Sequence, residues 1–435
     1  FSLLACGAVA VPVSHELFGD SLRYIVTQSE SRLLLCEESE RARLAAELQT
    51  CDVVVEAFND ETHYVERTGI VKSVNMLQMA DHTPAAILYT SGTTGQPKGV
   101  VIPNRSYLAA GEKVTQAVGI TAADRILTFL PLHHANPQMY SVMSALTVGC
   151  SVAIVARFSA SKFLQQAERM NATGFTYVGT VLSILAKEWT IPVQSGLRWC
   201  IGGGAPRAVW GHLAEMLPVR IHELYGMTET GGLVTINSRE RYRFGSVGAA
   251  RDDFDVAVLD SAGAMLPAGQ TGEIAVRPRT PFVMTTGYYR KPDETLAALE
   301  NLWFHTGDLG RFDDEGFLFF AGRKKELIRR GGEMMSPVEI ELAALKFPCV
   351  ADCAAVGVPD DILEEEVKLV VVCKEGFEMM ELIAYLRTSL PRHMLPRYLE
   401  FVTVIPKTPT QKVQRFKLVR NSAQTIDLKT IAVPS

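Results

Sequence analysis

From its start to about residue 225 the chain alternates short apolar runs with amphipathic stretches of helical period, and this alternation constrains the fold most. Strand candidates are Ala85–Tyr89, Ile126–Leu130, Val152–Val155, Gly174–Val178 and Arg198–Ile201. Helical stretches such as Ser159–Met170 and Pro206–Leu217 lie between them. Parallel strands need long crossovers that helices supply, so the pattern predicts α/β architecture with helices on the faces of parallel sheets. From about 245 to 320 the texture shifts to Gly- and Pro-punctuated strands, for example Phe254–Leu259 and Glu273–Arg277, which reads as a β-rich section. After Gly322 come five basic residues in eight, Arg-Lys-Lys-Glu-Leu-Ile-Arg-Arg, read as a linker. Ser336-Pro337-Val338-Glu339 predicts a helix start with a capping box and Pro at the first helical position. Strands near 351–357 and 367–373 and a helix from about 378 to 390 complete a small α+β unit.

With 435 residues the chain exceeds a single core, so two or more domains are expected. Apolar content of 47% with 21% charged residues is that of a globular protein, and a net charge of -5 argues against a nucleic-acid footprint. The eight cysteines form no CxxC pair, so buried reduced thiols in a cytoplasmic protein are the reading. Phe1 to Val13 is nearly all apolar, yet it has neither an initiator Met nor a basic start. That disfavours a secretory signal, the run is too short to span a bilayer, and the chain is read as beginning inside a buried helix and strand. No integral membrane segment is expected, and a homodimer is left open.

Chemistry concentrates first in Tyr89-Thr90-Ser91-Gly92-Thr93-Thr94-Gly95-Gln96-Pro97-Lys98-Gly99-Val100, directly behind an apolar strand. Glycines let backbone N–H groups approach an anion, hydroxyls donate further hydrogen bonds, and Lys98 adds a point charge, a combination that fits a polyphosphate. It is not the common P-loop, since five residues on from Gly92 stands Pro97 rather than Gly. A Ser/Thr/Gly surface linker is the bland alternative. Leu130-Pro131-Leu132-His133-His134 sets two histidines beyond a strand end, where ligand crevices of α/β sheets form. Gly202 to Pro206 follows a strand and opens a helix, giving room for a flat ring against backbone, although a plain tight turn explains it equally well alone. Tyr225-Gly226-Met227-Thr228-Glu229-Thr230 joins a ring, a hydroxyl and one carboxylate, a donor set suited to Mg²⁺ that leans on substrate phosphates. His305-Thr306-Gly307-Asp308 ends in an acid able to accept from two vicinal hydroxyls, or in an ordinary turn residue.

Taken in order, these clusters resemble the adenylate-forming superfamily of acyl- and aryl-CoA ligases, peptide-synthetase adenylation domains and beetle luciferases. The matching stretches are Tyr89–Val100, Leu130–His134, Gly203–Pro206, Tyr225–Glu229, Gly272–Ile274, His305–Asp308, Gly322–Glu333 and Lys412. Members usually have several dozen more residues before the position of Phe1. The resemblance implies a large adenylation domain of stacked α/β sheets with a β-rich subdomain over 1–321, a hinge at 322–326 and a small mobile α+β domain over 327–435. It implies ATP, Mg²⁺ and coenzyme A as co-substrates and a small carboxylic acid as substrate. The acid attacks the α-phosphate, pyrophosphate leaves, the small domain rotates, and a thiol takes the acyl group.

Carried over residue by residue, Thr90, Ser91, Gly92, Thr93, Thr94 and Lys98 belong to the loop over the β- and γ-phosphates. Gly203, Gly204, Ala205 and Pro206 with Tyr225 correspond to the walls of an adenine slot. Thr228 and Glu229 match the phosphate and metal contacts, Asp308 the ribose acceptor, Arg323 a further nucleotide contact and Lys325 the hinge. His134 matches the histidine that borders the acyl pocket and gates the thiol. Lys412 matches the catalytic lysine, which orients carboxylate and α-phosphate and offsets charge in the transition state. Relatives usually carry Gly before this lysine; here it is Gln411. Acyl-pocket positions are His134 to Tyr140, Tyr177 to Val181 and Gly226 to Gly232, with Tyr140 or Tyr177 open to either a cation–π wall or ordinary packing. The Gly322–Glu333 text looks like acid–CoA ligases, and the ending around Lys412 is similar to ligases of crotonobetaine, carnitine and related short acids. Loading of a carrier-protein phosphopantetheine in trans, a nucleotide-binding module without catalysis, and luciferase-like oxidation are the other readings.

Overall fold

The computed structural model describes residues 6–58, 79–90, 96–189, 191–331, 333–374, 378–407 and 413–430. Two compact units form, one of Phe1–Ala257, Ala275–His305 and Asp313–Leu318, the other of Val258–Ile274, Thr306–Phe312 and Phe319–Ser435.

In the first unit, β1 (Leu33–Glu37) pairs in parallel with β2 (Val54–Phe58), next to helices Gly19–Gln28 and Glu38–Glu47. β3 (Pro84–Thr90) pairs with β4 (Lys98–Pro103) as an antiparallel hairpin, with Tyr89 opposite Gly99 and Thr90 opposite Lys98. The expected parallel setting of Ala85–Tyr89 is therefore corrected. The 91–97 stretch is too short for a crossover helix, so the chain must turn straight back. Ala10 forms a parallel bridge to Ala86 on the other side of this hairpin. Of the apolar run Phe1 to Val13, residues 1–5 lie outside the described residues.

The main sheet of this unit has seven strands: β5 (Arg125–Thr128), β6 (Ser151–Ile154), β7 (Gly174–Val178), β8 (Trp199–Gly203), β9 (Arg220–Tyr225), β10 (Thr235–Ile236) and β11 (Ala249–Ala250). Their order is β11-β10-β9-β8-β7-β5-β6. Strands β5 to β9 are parallel as the alternation predicted, and β10 turns antiparallel to β9. Successive side chains feed two separate cores, because a parallel sheet is covered on both faces. Ile126, Ile201 and Leu224 pack with Tyr107 and Met139, while Leu127, Cys200 and Ile221 pack with Phe175, Trp210 and Leu213. Each such large side chain contributes about 1.5–3 kcal/mol on burial.

The β-rich section holds β12 (Phe254–Leu259), β13 (Gly272–Pro278), β14 (Leu299–Glu300), β15 (Trp303–Phe312) and β16 (Leu318–Arg323). Its sheet runs β12-β13-β15-β14, with β16 also on β15. The second unit carries β17 (Ile328–Arg330), β18 (Glu333–Met335), β19 (Val350–Asp360), β20 (Glu364–Cys373), β21 (Tyr398–Phe401) and β22 (Thr425–Asp427). β19 and β20 are antiparallel, whereas β20 and β21 are parallel, joined across helix Met379–Ser389. That helix buries Leu382, Ile383 and Leu386 against Val367, Leu369 and Val371. The expected helix start holds in part: Ser336 Oγ accepts from Val338 N at 3.3 Å, one residue earlier than the capping box requires.

All eight cysteines are free; Cys200 and Cys353 are buried, Cys6 is exposed and the others are half-buried, so the expectation of buried thiols holds in full at Cys200 and Cys353 and is corrected at Cys6. Among the described residues no helix is long and apolar enough to cross a membrane.

Candidate active site

Strand ends of the first unit gather most of the residues the sequence singled out. At the C-terminal end of β8 the chain turns through Gly204, at φ +90°, into helix Arg207–Met216. A Cβ on the facing Gly179 would stand 1.8 Å from the Gly204 carbonyl oxygen, so the two backbones approach as only glycine permits. Beneath this turn lies Glu223, 3% exposed, which the sequence reading passed over. One carboxylate oxygen accepts from Gly204 N at 2.5 Å and Ala205 N at 3.0 Å, and the other accepts from the Tyr177 hydroxyl. Burial pushes the Glu223 carboxyl up to about 8, against these three hydrogen bonds that pull it down. Burial, together with that carboxylate, also raises the Tyr177 phenol well above its ordinary range.

Tyr225 closes β9, buried, and the chain then enters the short helical turn Thr228–Thr230. Gly226 is required here, because a Cβ would lie 2.0 Å from the Gly232 carbonyl oxygen. Glu229 is 6% exposed, and its Oε1 accepts from the Tyr288 hydroxyl at 3.0 Å. The Lys98 ammonium sits 4.9 Å from the centre of the same Tyr288 ring. Tyr288 also bridges the backbone at Val100, on the strand that Lys98 begins. The hairpin stem and the Thr228–Glu229 turn thus meet on one aromatic ring, a link no spacing in the sequence announced. Thr90 lies opposite Lys98 in the hairpin, whereas Ser91, Gly92, Thr93 and Thr94 lie outside the described residues.

The three expected acyl-pocket segments are joined by hydrogen bonds. Asn136 Nδ2 donates to the Tyr177 carbonyl at 2.9 Å, and the Tyr140 hydroxyl donates to the Gly232 carbonyl at 2.8 Å. Tyr140 and Tyr177 are both buried and hydrogen-bonded, which fits packing rather than an open cation–π wall. Pro137–Met143 is a π-helix, a rare geometry that often marks functional sites and leaves no sequence signature. His134 follows the strand end as expected, with the His133 ring 4.1 Å away centre to centre. Burial and nearby His15 hold His133 below its ordinary range, so it is neutral at physiological pH.

In the second unit Asp308 is 7% exposed and lies 3.4 Å from Arg323 Nε, so the structure brings these two predicted nucleotide contacts together. Next to them Glu273 accepts from Gly307 N at 3.1 Å and from Lys324 Nζ at 2.8 Å, fixing the turn that presents Asp308. Lys325 sits in the helical turn Lys324–Glu326. Lys412 lies outside the described residues.

The donor set fits a magnesium–nucleotide. Among the described residues no three His, Cys, Asp or Glu side chains cluster as a metal cage, and Mg²⁺ needs only one or two carboxylates besides waters and phosphates. Glu229 and Thr228, adjacent in one turn, are one carboxylate and one hydroxyl, a donor set of that size.

Residues 1–289 match the AMP-binding enzyme family and residues 339–412 the AMP-binding enzyme C-terminal domain. The chain belongs to the AMP-binding enzyme family. Within it the chain is an AMP-forming acid–CoA ligase, using ATP, Mg²⁺ and coenzyme A. It is 33% identical to the sulfoacetate–CoA ligase of Cupriavidus necator over 430 residues, covering 96% of this chain and 84% of that protein. The oxalate–CoA ligase of Arabidopsis thaliana is 30% identical, with 95% of this chain and 84% of that protein covered. Among solved structures, ATP-bound MatB from Rhodopseudomonas palustris superposes with a TM-score of 0.89 at 26% identity, covering 96% of this chain and 84% of MatB. The o-succinylbenzoate coenzyme A synthetase MenE of Bacillus subtilis, in complex with ATP and magnesium ion, gives 0.82 at 26% identity, covering 96% and 85%.

Proposed function

We propose that this ligase activates a short carboxylic acid, with the residue roles that follow. The observation that carries the assignment is the buried Glu229 carboxylate, joined through Tyr288 to Lys98 at the stem of the 89–100 loop. Glu229 and Thr228 would hold Mg²⁺, which when bound offsets charge on the phosphates. Lys98 and the loop hydroxyls steady the β- and γ-phosphates, leaving the α-phosphate open to the incoming carboxylate. Gly203 to Pro206 and Tyr225 sandwich the adenine, and Asp308, held by Arg323, accepts from the ribose hydroxyls. Lys412 aligns the carboxylate with the α-phosphate, so that attack forms the acyl–phosphate bond as pyrophosphate leaves. Rotation at Lys325 then exchanges Lys412 for the thiol channel beside His134, and sulfur displaces AMP from the acyl carbon.

Similarity to relatives named for sulfoacetate, oxalate and crotonobetaine or carnitine supports a short acid. In the pocket segments Tyr140, Met139 and Tyr177 are buried, and Tyr140 is tied across to Gly232. Free thiols throughout the chain support a cytoplasmic setting. Incubation with Mg-ATP, CoA and these four acids should release AMP and pyrophosphate and form a thioester. No AMP with any acid would sink the proposal, while a thioester on carrier-protein pantetheine but never on CoA would move it to a carrier-loading enzyme.

A further inference from the structure

We infer that Gln138 is a positioning residue for the histidine turn 131–134, holding it in register with the helix that follows β4. This rests on the reading of His134 as the group that borders the thiol channel. The turn closes on itself where His134 N donates to the Pro131 carbonyl at 3.1 Å. Packing of its outer side chains does not hold it, because Pro131 is exposed and Leu132 is 41% exposed. Its tethers are polar. Gln138 Nε2 donates to the Leu132 carbonyl at 2.7 Å, and that carbonyl belongs to the peptide leading into His133. A bond to this oxygen fixes the plane of the Leu132–His133 peptide, and with it the directions in which the His133 and His134 side chains leave the chain. Asn136 Nδ2, bound to the Tyr177 carbonyl at 2.9 Å, ties the exit of the turn to β7.

Gln138 takes its own orientation from Tyr107. Both side chains are buried, and the Tyr107 hydroxyl donates to Gln138 Oε1. Burial raises the Tyr107 phenol above its ordinary range, so the hydroxyl keeps its proton. With its oxygen facing that donor, the amide presents Nε2 to the Leu132 carbonyl; the flipped amide would set two oxygens face to face. A primary amide accepts on one side and donates on the other without bringing a charge into the core. Tyr107 lies in the first turn of helix Asn104–Val118, which follows β4 without a break. A Cβ on Gly111 of this helix would stand 2.8 Å from the Met143 carbonyl oxygen, so the helix backs directly on the π-helix that holds Gln138. A Cβ on Gly231 would stand 2.2 Å from Ser106 Oγ, so the neighbour of Tyr107 seats the end of the Thr228–Thr230 turn. The opening turn of the helix is thus a common reference for the Glu229 turn, through Ser106, and for the histidine turn, through Tyr107 and Gln138.

The test reads the two half-reactions separately in Q138M, Y107F, their double variant and H134A. Adenylation is read as pyrophosphate exchange at saturating Mg-ATP with whichever of sulfoacetate, oxalate, crotonobetaine and carnitine exchanges fastest. Thioester formation is read from the synthetic acyl-adenylate of that acid and CoA. Methionine fills nearly the volume of glutamine without its hydrogen bonds. An ångström of misplacement costs on the order of 10²-fold, and the Asn136 tether remains, so Q138M should lose roughly 10-fold in kcat of thioester formation. Adenylation should stay within about twofold at constant KM for ATP, because the nucleotide contacts are untouched. Y107F, which leaves the amide free to turn, should lose a few-fold in thioester formation. The double variant should lose no more than Q138M alone, since both side chains act along one chain of bonds. Equal losses in both half-reactions, additive losses in the double variant, or an unchanged Q138M beside an impaired H134A would overturn the positioning role. Unimpaired thioester formation in H134A would instead remove the reading on which it rests. If Q138M fails to fold, Y107F decides the matter by the same split.

Discussion

Glu223 lends itself to a quantitative test, because its carboxyl is nearly sealed from solvent and all its partners are identified. Replacing it by Ala leaves the Tyr177 hydroxyl, itself fully buried, without an acceptor, while Gly204 N and Ala205 N sit at a partly exposed turn where water can replace it. An orphaned buried hydroxyl and the space left by the side chain together cost roughly 2–5 kcal/mol. Glu223→Gln keeps an oxygen for the two N–H groups and turns an amide N–H toward the Tyr177 oxygen, so its cost should stay below about 1 kcal/mol. Protonation adds a second signature. With the folded value near 8 and the ordinary value at 4.5, the folded chain holds a proton between those two pH values that the unfolded chain has released. Stability from this group is therefore highest below pH 4.5 and falls as pH rises toward 8, by about 1.36 kcal/mol per unit where the difference is full. The Gln variant lacks that slope. Urea unfolding followed by tryptophan fluorescence reads the right unit, since Trp189, Trp199, Trp210 and Trp303 all lie in the first one. A Glu223→Ala change within about 0.5 kcal/mol of the parent, or a parent that gains stability over the Gln variant between pH 4.5 and 8, would refute the reasoning.

Tyr288→Phe should raise KM for Mg-ATP several-fold with the fold intact, since it removes the hydroxyl that fixes Glu229; Glu229→Gln should cut adenylation about 10²-fold, and steady-state kinetics over a magnesium titration checks both. Lys412→Ala should abolish adenylate formation but largely spare thioester formation from preformed acyl-adenylate, measured as separate half-reactions. Gly226→Ala should destabilise the first unit by about 1–3 kcal/mol in the same urea assay, because its methyl would collide with the Gly232 carbonyl and neither backbone can yield cheaply.

Much of this was legible in the chain. The apolar runs from Ile126 to Ile201 named four strands of the parallel sheet to within a few residues; the central ones, covered on both faces, are apolar at nearly every position, whereas the edge strand β6 leaves Ile154 exposed. The pairing of Ala85–Tyr89 was not legible. Val100 to Ile102 is apolar too, but only the short connection, read together with the partner, says that the chain doubles back. Glycine positions were legible as glycines, and the structure supplied the colliding atom at Gly179 and Gly226. Cysteine burial was misjudged at Cys6, since exposure depends on what packs over a residue rather than on its type.

By itself the sequence determined the elements and the order of chemistry-bearing clusters, since local periodicity and spacing are written along the chain. Resemblance of that order then determined the family. The tertiary structure alone decided that Tyr288 joins Lys98 to Glu229, that Glu223 holds the Gly204 turn against Tyr177, and that Tyr107 orients Gln138. These partners are 19 to 59 positions apart where hydrogen-bonded, and nothing in one segment encodes the location of the other. Their meeting is set by how sheets and helices pack around shared cores, a property of the whole chain rather than of any window within it.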